Sequence, residues 1–496
     1  MADLTLSGKN PTALKVDALV VGTCSTSDGV AVVADQLPES LVRQIETLAP
    51  RLGVTGAPDE VRRLPAGDGV AADVLVLAGL GERAADGTFP REVLRSAAGA
   101  ATRELAGTDS VAVALPAVDE DELAAVVEGA LLGAYTYTRY RSGKDQKSAV
   151  GSIQVVTTFA RSGRAKSAVA RGEVLAAAVH GTRDLVNDAP NELYPAAFAD
   201  AAKAALKGVK GVKVTVLDDK QLAAGGYGGL VGVGQGSSRG PRLVKLSYAP
   251  AKAAAKVAIV GKGITFDTGG ISLKPPASMP TMKSDMAGAA AVLHTVLAAA
   301  KLGLPVAVTG YLCLAENMPG GNAQRPADVV TIRGGKTVEV TNTDAEGRLV
   351  MADGLVAAVE DGHDVVLDIA TLTGAQMVAL GNRTSGVMGT DAVRDEVKAA
   401  ADVAGEAFWP MPMPAELKAG LKSNVADMVN SAPSRWGGML FAAHFLAEFV
   451  GDTPWAHLDI AGPSYNEGSS FGYTPTGGTG VGVRTMLAFL EARAGL

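Results

Sequence analysis

The sequence predicts an α/β protein of two domains, and three observations carry that prediction. Up to residue 163, short runs rich in valine, isoleucine and leucine alternate with stretches of helical periodicity. One long helical stretch, 164–187, then stops at Asn187-Asp188-Ala189-Pro190, because proline cannot continue a helix. From residue 256 the alternation of strand-like runs and helices resumes. The 496 residues accommodate two to three domains at about 150 residues each. The expected division is a smaller N-terminal domain over 1–163, a connecting helix over 164–187 and a larger C-terminal domain over 188–496.

In the first domain, residues 18–21, 74–77, 110–115 and 153–159 have the apolar, β-rich composition of strands. Between them, 39–48, 91–105 and 120–137 carry apolar residues at helical spacing. Strands that alternate with helices build a largely parallel sheet. Residues 65–69 and 83–89 read as loops from their Pro, Gly and Asp content. The connecting helix has Val169, Val174, Leu175, Val179 and Leu185 among its apolar positions. The glycine-rich segment 225–236 invites a nucleotide reading, but Gly232-Val-Gly-Gln-Gly236 is followed by Ser237-Ser238, so the G-x-G-x-x-G spacing fails. Gly261-Lys262 has Lys256 where a Walker A loop needs its first glycine. A tight structural loop is the expectation for 225–236. In the second domain, 256–260, 306–314, 338–341 and 365–369 read as buried strands, separated by helices over 286–302 and 348–359.

Composition narrows the function. Apolar residues form 47% of the chain and charged residues 20%, a globular balance rather than a disordered one. The 60 glycines exceed the usual share of about 7% and call for tight turns and close backbone approaches. With 45 Lys+Arg against 52 Asp+Glu the net charge is −7, and only 4% of residues are aromatic. The chain therefore lacks the basic stripe and stacking platforms of a general nucleic-acid grip; only 139–147 is locally basic. A mean hydropathy of +0.19 raises the question of a membrane span. The uncharged stretches 286–300 and 302–315 fall short of the roughly 18–20 apolar residues a span needs, so no membrane contact is expected. The first residues hold no apolar signal-peptide core, which predicts a cytoplasmic protein. Two cysteines, Cys24 and Cys313, and 5 histidines exclude a disulfide framework and a Cys/His zinc finger.

The unusual polar residues cluster in the second domain. Lys262, Asp267, Glu316, Asp344, Glu346 and the run Thr371 to Gly374 all follow the ends of strand-like runs, the edge at which open α/β sheets bind ligands. Taken singly, Asp267-Thr-Gly-Gly is a turn, Lys274 a loop lysine and Ser284-Asp285 a helix start. Asp267-Thr-Gly is also half of an aspartic-peptidase pair, but no second Asp-Thr-Gly or Asp-Ser-Gly occurs. Thr343-x-x-Glu346 fits a capping box. Three neighbours reach beyond that reading: Asp344 adds a carboxylate, Gly347 is a poor first-turn residue, and Arg348 sits where an anion could join a helix N-terminus.

The octapeptide Asn342-Thr-Asp344-Ala-Glu346-Gly-Arg348-Leu349 resembles the signature of the leucyl aminopeptidase family of zinc peptidases. Segment 262–285 resembles that family's other metal and catalytic block. The likeness continues through Ala315-Glu-Asn-Met-Pro-Gly-Gly321, Asp368-Ile-Ala-Thr-Leu-Thr-Gly374 and Trp455-Ala-His-Leu-Asp-Ile-Ala-Gly462, and covers 188–496.

The resemblance implies a larger domain with a central mixed sheet flanked by helices, and a centre of two divalent ions, Zn²⁺ or Mn²⁺. Lys262, Asp267, Asp285 and Glu346 would hold one ion; Asp267, Asp344 (side chain and carbonyl) and Glu346 the other. Lys274 would polarise the carbonyl and stabilise the oxyanion. Arg348 would hold a bicarbonate acting as general base. Met282, Thr371, Gly374 and Ala461 would line the pocket for the first side chain. The activity implied is metal-dependent release of N-terminal amino acids, leucine preferred, from peptides with a free N-terminus, by a homohexamer. Some members of that family also bind DNA as accessory factors, so a regulatory DNA-binding role is the alternative.

Lys262 can ligate only as a neutral amine. Lowering its pKa from the ordinary ~10.4 to near 7 requires about 4–5 kcal/mol, which a dication can supply. His180, His294, His363, His444 and His457 show no ligand spacing such as H-E-x-x-H and read as structural.

Overall fold

The computed structural model describes residues 2–34, 37–432 and 434–496. The chain divides into two compact units. The first runs to His180 and includes Gly468–Thr476; the second comprises Gly181–Glu467 and Gly477–Leu496.

The first unit contains β1 (Asp3–Ser7), β2 (Ala18–Thr26), β3 (Gly29–Val33), β4 (Val61–Pro65), β5 (Val74–Gly79), β6 (Ser110–Ala114) and β7 (Ser152–Val156). Its sheet has the order β1-β7-β6-β2-β5-β4, with β3 on β2. The four contacts from β1 to β5 are parallel, whereas β4 and β3 pair antiparallel. Helices α1 (Glu39–Leu48), α2 (Arg91–Glu104) and α3 (Glu120–Gly133) connect the strands. Leu19, Val21, Leu75, Leu77 and Ala112 pack against Leu41 and Ile45 of α1. These central strands are apolar on both faces, as sheets covered on both sides require. The sequence reading found β2, β5, β6 and β7 but not β1, β3 or β4. β4 presents Arg62 and Arg63 to solvent at the sheet edge, and so lacks the buried alternation that marks a strand.

Helix α4 (Gly163–Asn187) leads into the second unit. There α5 (Pro195–Ala205), α6 (Asp219–Ala224) and α7 (Gly228–Gly234) accompany β8 (Val212–Leu217) and β9 (Arg242–Tyr248). β10 (Lys256–Asp267), α8 (Ala287–Leu302), β11 (Ala307–Asn317), β12 (Val329–Thr331), β13 (Thr337–Glu339), α9 (Gly347–Glu360) and β14 (Val365–Ala370) follow. The remainder is α10 (Gly374–Leu380), β15 (Ser385–Gly389), α11 (Asp391–Ala404), β16 (Phe408–Pro410), β17 (Met428–Val429), α12 (Gly438–Ala447), β18 (Trp455–Asp459) and α13 (Val483–Arg493). The main sheet is mixed, in the order β16-β15-β18-β14-β10-β11-β9-β8. Its centre, β18-β14-β10-β11, is parallel, and helices flank it as expected.

Several local readings change. Segment 225–236 is not a loop: it holds the short helix α7. A Cβ on Gly228 would lie 2.0 Å from the Thr331 carbonyl oxygen, and one on Gly229 2.2 Å from that of Leu349. The glycines thus let a helix lie directly against neighbouring backbone, at the expense of helix propensity. β10 extends to Asp267, so Lys262 lies inside the strand rather than beyond it. β13 belongs to a separate three-stranded sheet, β12-β13-β17. The apolar segment Met282–Leu302 is long and apolar enough to cross a membrane by length and composition, but 78% of its window is buried inside the protein. It packs as a core helix: a Cβ on Gly261 of β10 would meet Ala289 Cα at 2.7 Å.

Candidate active site

Three strand ends converge. β10 ends at Asp267, β11 ends at Asn317, and β14 runs out into Thr371. β10 and β11 stay in register to Ile264 and Ala315, and a shift then sets Asp267 opposite Asn317. Such bulges re-aim side chains. Here Asn317 Nδ2 and the Gly269 amide both donate to Asp267 Oδ1, each at 2.8 Å, and fix that carboxylate.

Two lysines interleave with four carboxylates. Buried Lys262 donates to Asp285 Oδ1 at 2.8 Å and to the Thr371 carbonyl at 3.0 Å, and its Nζ lies 2.9 Å from Glu346 Oε1. Thr371 Oγ1 donates to Asp285 Oδ1 at 2.7 Å. Asp285 itself follows a single 3-10 turn, Met282–Ser284, that opens α8. Lys274 Nζ lies 2.9 Å from Asp267 Oδ2 and 2.5 Å from Asp344 Oδ1. Asp267, Asp344 and Glu346 each bring a ligand oxygen within 4.8 Å of the others.

Electrostatics follow from burial. Burial and the negative charge of Asp267 push Glu346 well above the usual carboxylate range, against the pull of Lys262. Burial also raises Asp285 and Asp344. Burial opposes charge on Lys262 and Lys274, but Asp285 and Glu346 at the former and Asp267 at the latter outweigh it and keep both ammonium groups charged. Fully ionised, the four carboxylates outnumber the two ammonium groups by two, an imbalance that divalent cations would offset. Glu346 Oε2 is buried with no hydrogen-bond donor. Hard oxygen donors with one amine suit a divalent ion, so the residues present fit a metal centre. No histidine joins the cluster: His294, His363 and His444 bond backbone carbonyls, and His457 bonds Asp368 at 2.6 Å.

The Thr343-x-x-Glu346 capping box does not form. Glu346 stands at the N-cap of α9 without a side-chain cap bond. Thr343 Oγ1 instead donates to the Gly269 carbonyl at 2.7 Å and accepts from the Ser272 amide at 2.8 Å, tying the two motif loops together. Arg348, in the first turn of α9, donates to the Asn430 carbonyl at 2.6 Å. Its guanidinium carbon lies 5.7 Å and 5.9 Å from the ring centres of Phe441 and Phe445. Burial lowers its pKa to about 10, and its Nε has no partner, so an anion there would relieve the burial cost.

Of the residues singled out for a substrate pocket, Thr371 bonds the Asp285 carboxylate directly and Met282 opens the turn that ends at Asp285. Gly374 begins α10, exposed, with open space where a Cβ would be. Ala461 is half-buried, and its amide donates to Asp459 Oδ1 at 3.2 Å. Glu316, flagged for its place at a strand end, takes no part: Ser237 Oγ donates to it at 2.5 Å and Arg239 lies 3.6 Å away. Two residues escaped sequence reasoning, Asn317 and Asn430. Asn317 stands in the block Ala315-Glu-Asn-Met-Pro-Gly-Gly321 without having been given a role, and Asn430 lies in no motif.

A buried set of carboxylates and lysines at the carboxyl edge of an α/β sheet has the chemistry and the place of a divalent-metal enzyme centre. Residues 180–487 match the catalytic domain of the cytosol aminopeptidase family and residues 20–144 its N-terminal domain. A protein of Micrococcus luteus named probable cytosol aminopeptidase is 55% identical over 99% of this chain and 98% of its own. One of the same name from Streptomyces griseus is 50% identical over 100% and 99%. Among solved structures, the bottromycin maturation enzyme BotP in complex with Mn is 37% identical, with a TM-score of 0.84 over 97% of this chain and all of that one. A mutant of tomato leucine aminopeptidase is 30% identical, with a TM-score of 0.86 over 99% and 97%. The chain belongs to the cytosol aminopeptidase family. It is a metallo-exopeptidase, a hydrolase that removes residues from the N-terminus of peptides with a divalent metal at the acidic cluster.

Proposed function

We propose that the chain is a two-metal leucyl aminopeptidase whose centre is held by Lys262, Asp267, Asp285, Asp344 and Glu346. The observation that carries this reading is the close approach of the Asp267, Asp344 and Glu346 carboxylates, with Lys262 reaching Asp285 and Glu346. Lys262, Asp267, Asp285 and Glu346 would hold one ion; Asp267, Asp344 and Glu346 would hold the other. When bound, divalent ions supply Lewis-acid polarisation of the scissile carbonyl and lower the pKa of water.

The chain's own groups do the rest. Lys262 gives up its proton and contributes a neutral amine. Lys274 is not a ligand and keeps its charge, so it donates to the developing oxyanion, where preorganised donors act most strongly. With the nearby carboxylates engaged as ligands, none is left to act as general base. Arg348, a buried cation at the start of α9, would hold a bicarbonate, which would supply the general base; its unpartnered Nε and the anion-binding character of helix N-termini support this assignment. Met282, Thr371, Gly374 and Ala461 line an apolar pocket for the first side chain, which favours leucine within a broad range. Family membership supports a cytoplasmic homohexamer acting on peptides with a free N-terminus.

The test is metal analysis together with hydrolysis of a leucyl chromogenic substrate before and after chelation. Activity lost with the metal and regained with Mn²⁺ or Zn²⁺ is the expected result. Full activity in the metal-free chain would overturn the reading.

A further inference from the structure

We propose that Asn430 is a positioning residue: it clamps loop 341–345 so that the Asp344 carbonyl stays available to the metal centre and the Arg348 guanidinium is held in place. This inference rests on the two-metal reading above.

Asn430 directly follows β17 and is fully buried. Its amide donates to the Glu339 carbonyl at 3.0 Å, which ties it to β13. The side chain then serves the signature loop with both of its ends. Oδ1 accepts from the Thr341 amide at 2.8 Å and the Asn342 amide at 3.2 Å. Nδ2 donates to the Asn342 carbonyl at 2.7 Å and the Ala345 carbonyl at 3.3 Å. Asn317 Nδ2 takes the Thr343 carbonyl at 3.1 Å. The carbonyls of 342, 343 and 345 are therefore all engaged. Among the described residues, no hydrogen bond reaches the carbonyl of Asp344. The backbone carbonyl of Asn430 meanwhile accepts from Arg348 at 2.6 Å, so one residue governs both the ligand loop and the anion-holding cation.

Only an amide can fill this place. The loop offers N–H and C=O groups to a single planar side chain, and asparagine carries both a donor and an acceptor. Aspartate has the same shape but sets a charge against two carbonyls. A smaller residue leaves buried backbone groups unpaired. Residues that orient metal ligands without touching the metal typically change metal affinity or activity by about 10–100-fold when replaced.

The experiment compares wild type, Asn430→Asp, Asn430→Ser and Asp427→Ala. Asp427 lies in the turn just before β17 and accepts from Thr337 N and Oγ1 at 2.8 and 2.9 Å; its loss loosens the same small sheet without touching the loop. Each protein is stripped of metal, and its melting temperature is followed with added Mn²⁺; Mn²⁺ affinity is read by dye competition. The kcat and KM for a leucyl substrate are then measured. Both Asn430 variants are expected to lose about 10–100-fold in Mn²⁺ affinity and kcat, with KM little changed. Asp427→Ala should lower the metal-free melting temperature and leave Mn²⁺ affinity and kcat intact. Wild-type affinity and kcat in either Asn430 variant overturns the inference. So does a loss in Asp427→Ala that matches theirs at equal stability. If Asn430→Asp does not fold, Asn430→Ser decides on the same readouts. A wild-type chain with no Mn²⁺-dependent rise in melting temperature sinks the metal reading itself, a distinct result.

Discussion

Gly347 stands in the first turn of α9 because Lys262 fills the space a side chain would occupy. A Cβ at position 347 would lie 2.5 Å from Lys262 Cε and 2.8 Å from its Nζ. In an ordinary helix, alanine is more favourable than glycine by about 1 kcal/mol. Here the sign should invert: Gly347→Ala is expected to lower the melting temperature. It should also weaken metal binding and kcat by about 10–100-fold, as Lys262 is pushed off Asp285 and Glu346. Calorimetry with Mn²⁺ titration checks this, and a stabilised, fully active variant would detach Lys262 from the centre.

The raised pKa of Glu346 makes a pH prediction with a definite sign. A carboxyl group raised on folding contributes stability that is complete below the ordinary carboxylate value of about 4 and is lost as pH climbs through the raised value. Glutamine does not ionise and loses nothing over that window. In the metal-free state, the melting temperature of Glu346→Gln should therefore gain on that of wild type as pH rises above about 4. With saturating Mn²⁺ the order should reverse, because the ionised carboxylate is the form that holds a cation. A metal-free difference that stays flat across pH would show that Glu346 does not titrate as a buried group.

The residues proposed as ligands were picked out in the sequence because they are chemically unusual where they stand: charged groups and glycines among apolar strand ends, in the order of a known family. Lys262, Asp267, Asp285, Asp344 and Glu346 do meet in space. The supports were not legible. Asn430 reaches Arg348 across 82 residues, and Asn317 reaches Asp267 only because a bulge shifts β10 against β11; neither relation leaves a local pattern. The glycines of α7 misled for the opposite reason. Local propensity reads them as loop, but a close backbone approach to Thr331 and Leu349 overrides propensity. The strands β2, β5, β6, β7, β10, β11 and β14 followed from apolar periodicity; edge strands such as β4, half polar by necessity, did not, and neither did β9 and β15, which lie inside the main sheet.

Gly374 tests the substrate pocket. A Cβ there meets nothing within 4 Å, so a larger side chain costs the fold little and can only fill open space. Gly374→Val is expected to leave the melting temperature and Mn²⁺ binding unchanged. It should lower kcat/KM for leucyl substrates more than for alanyl ones, by the order of 10-fold that about one or two methylene groups are worth in an apolar pocket. Equal effects on both substrates would place Gly374 outside the pocket.

Lys274 separates catalysis from metal retention. Its ammonium sits 2.9 Å from Asp267 and 2.5 Å from Asp344, and those carboxylates keep it protonated, so it can donate but not ligate. Lys274→Met keeps the apolar stem and removes the charge. Losing a preorganised oxyanion donor lowers kcat by about 100–1000-fold, so a fall of that order with KM little altered is expected. The Mn²⁺-induced rise in melting temperature should persist, because Asp267 and Asp344, the proposed ligands, remain. In the metal-free state the same variant should be less stable than wild type, since both carboxylates then lose their partner. A variant that retains full kcat would remove Lys274 from the reaction, and one that loses Mn²⁺ binding as steeply as kcat would recast it as part of the metal site.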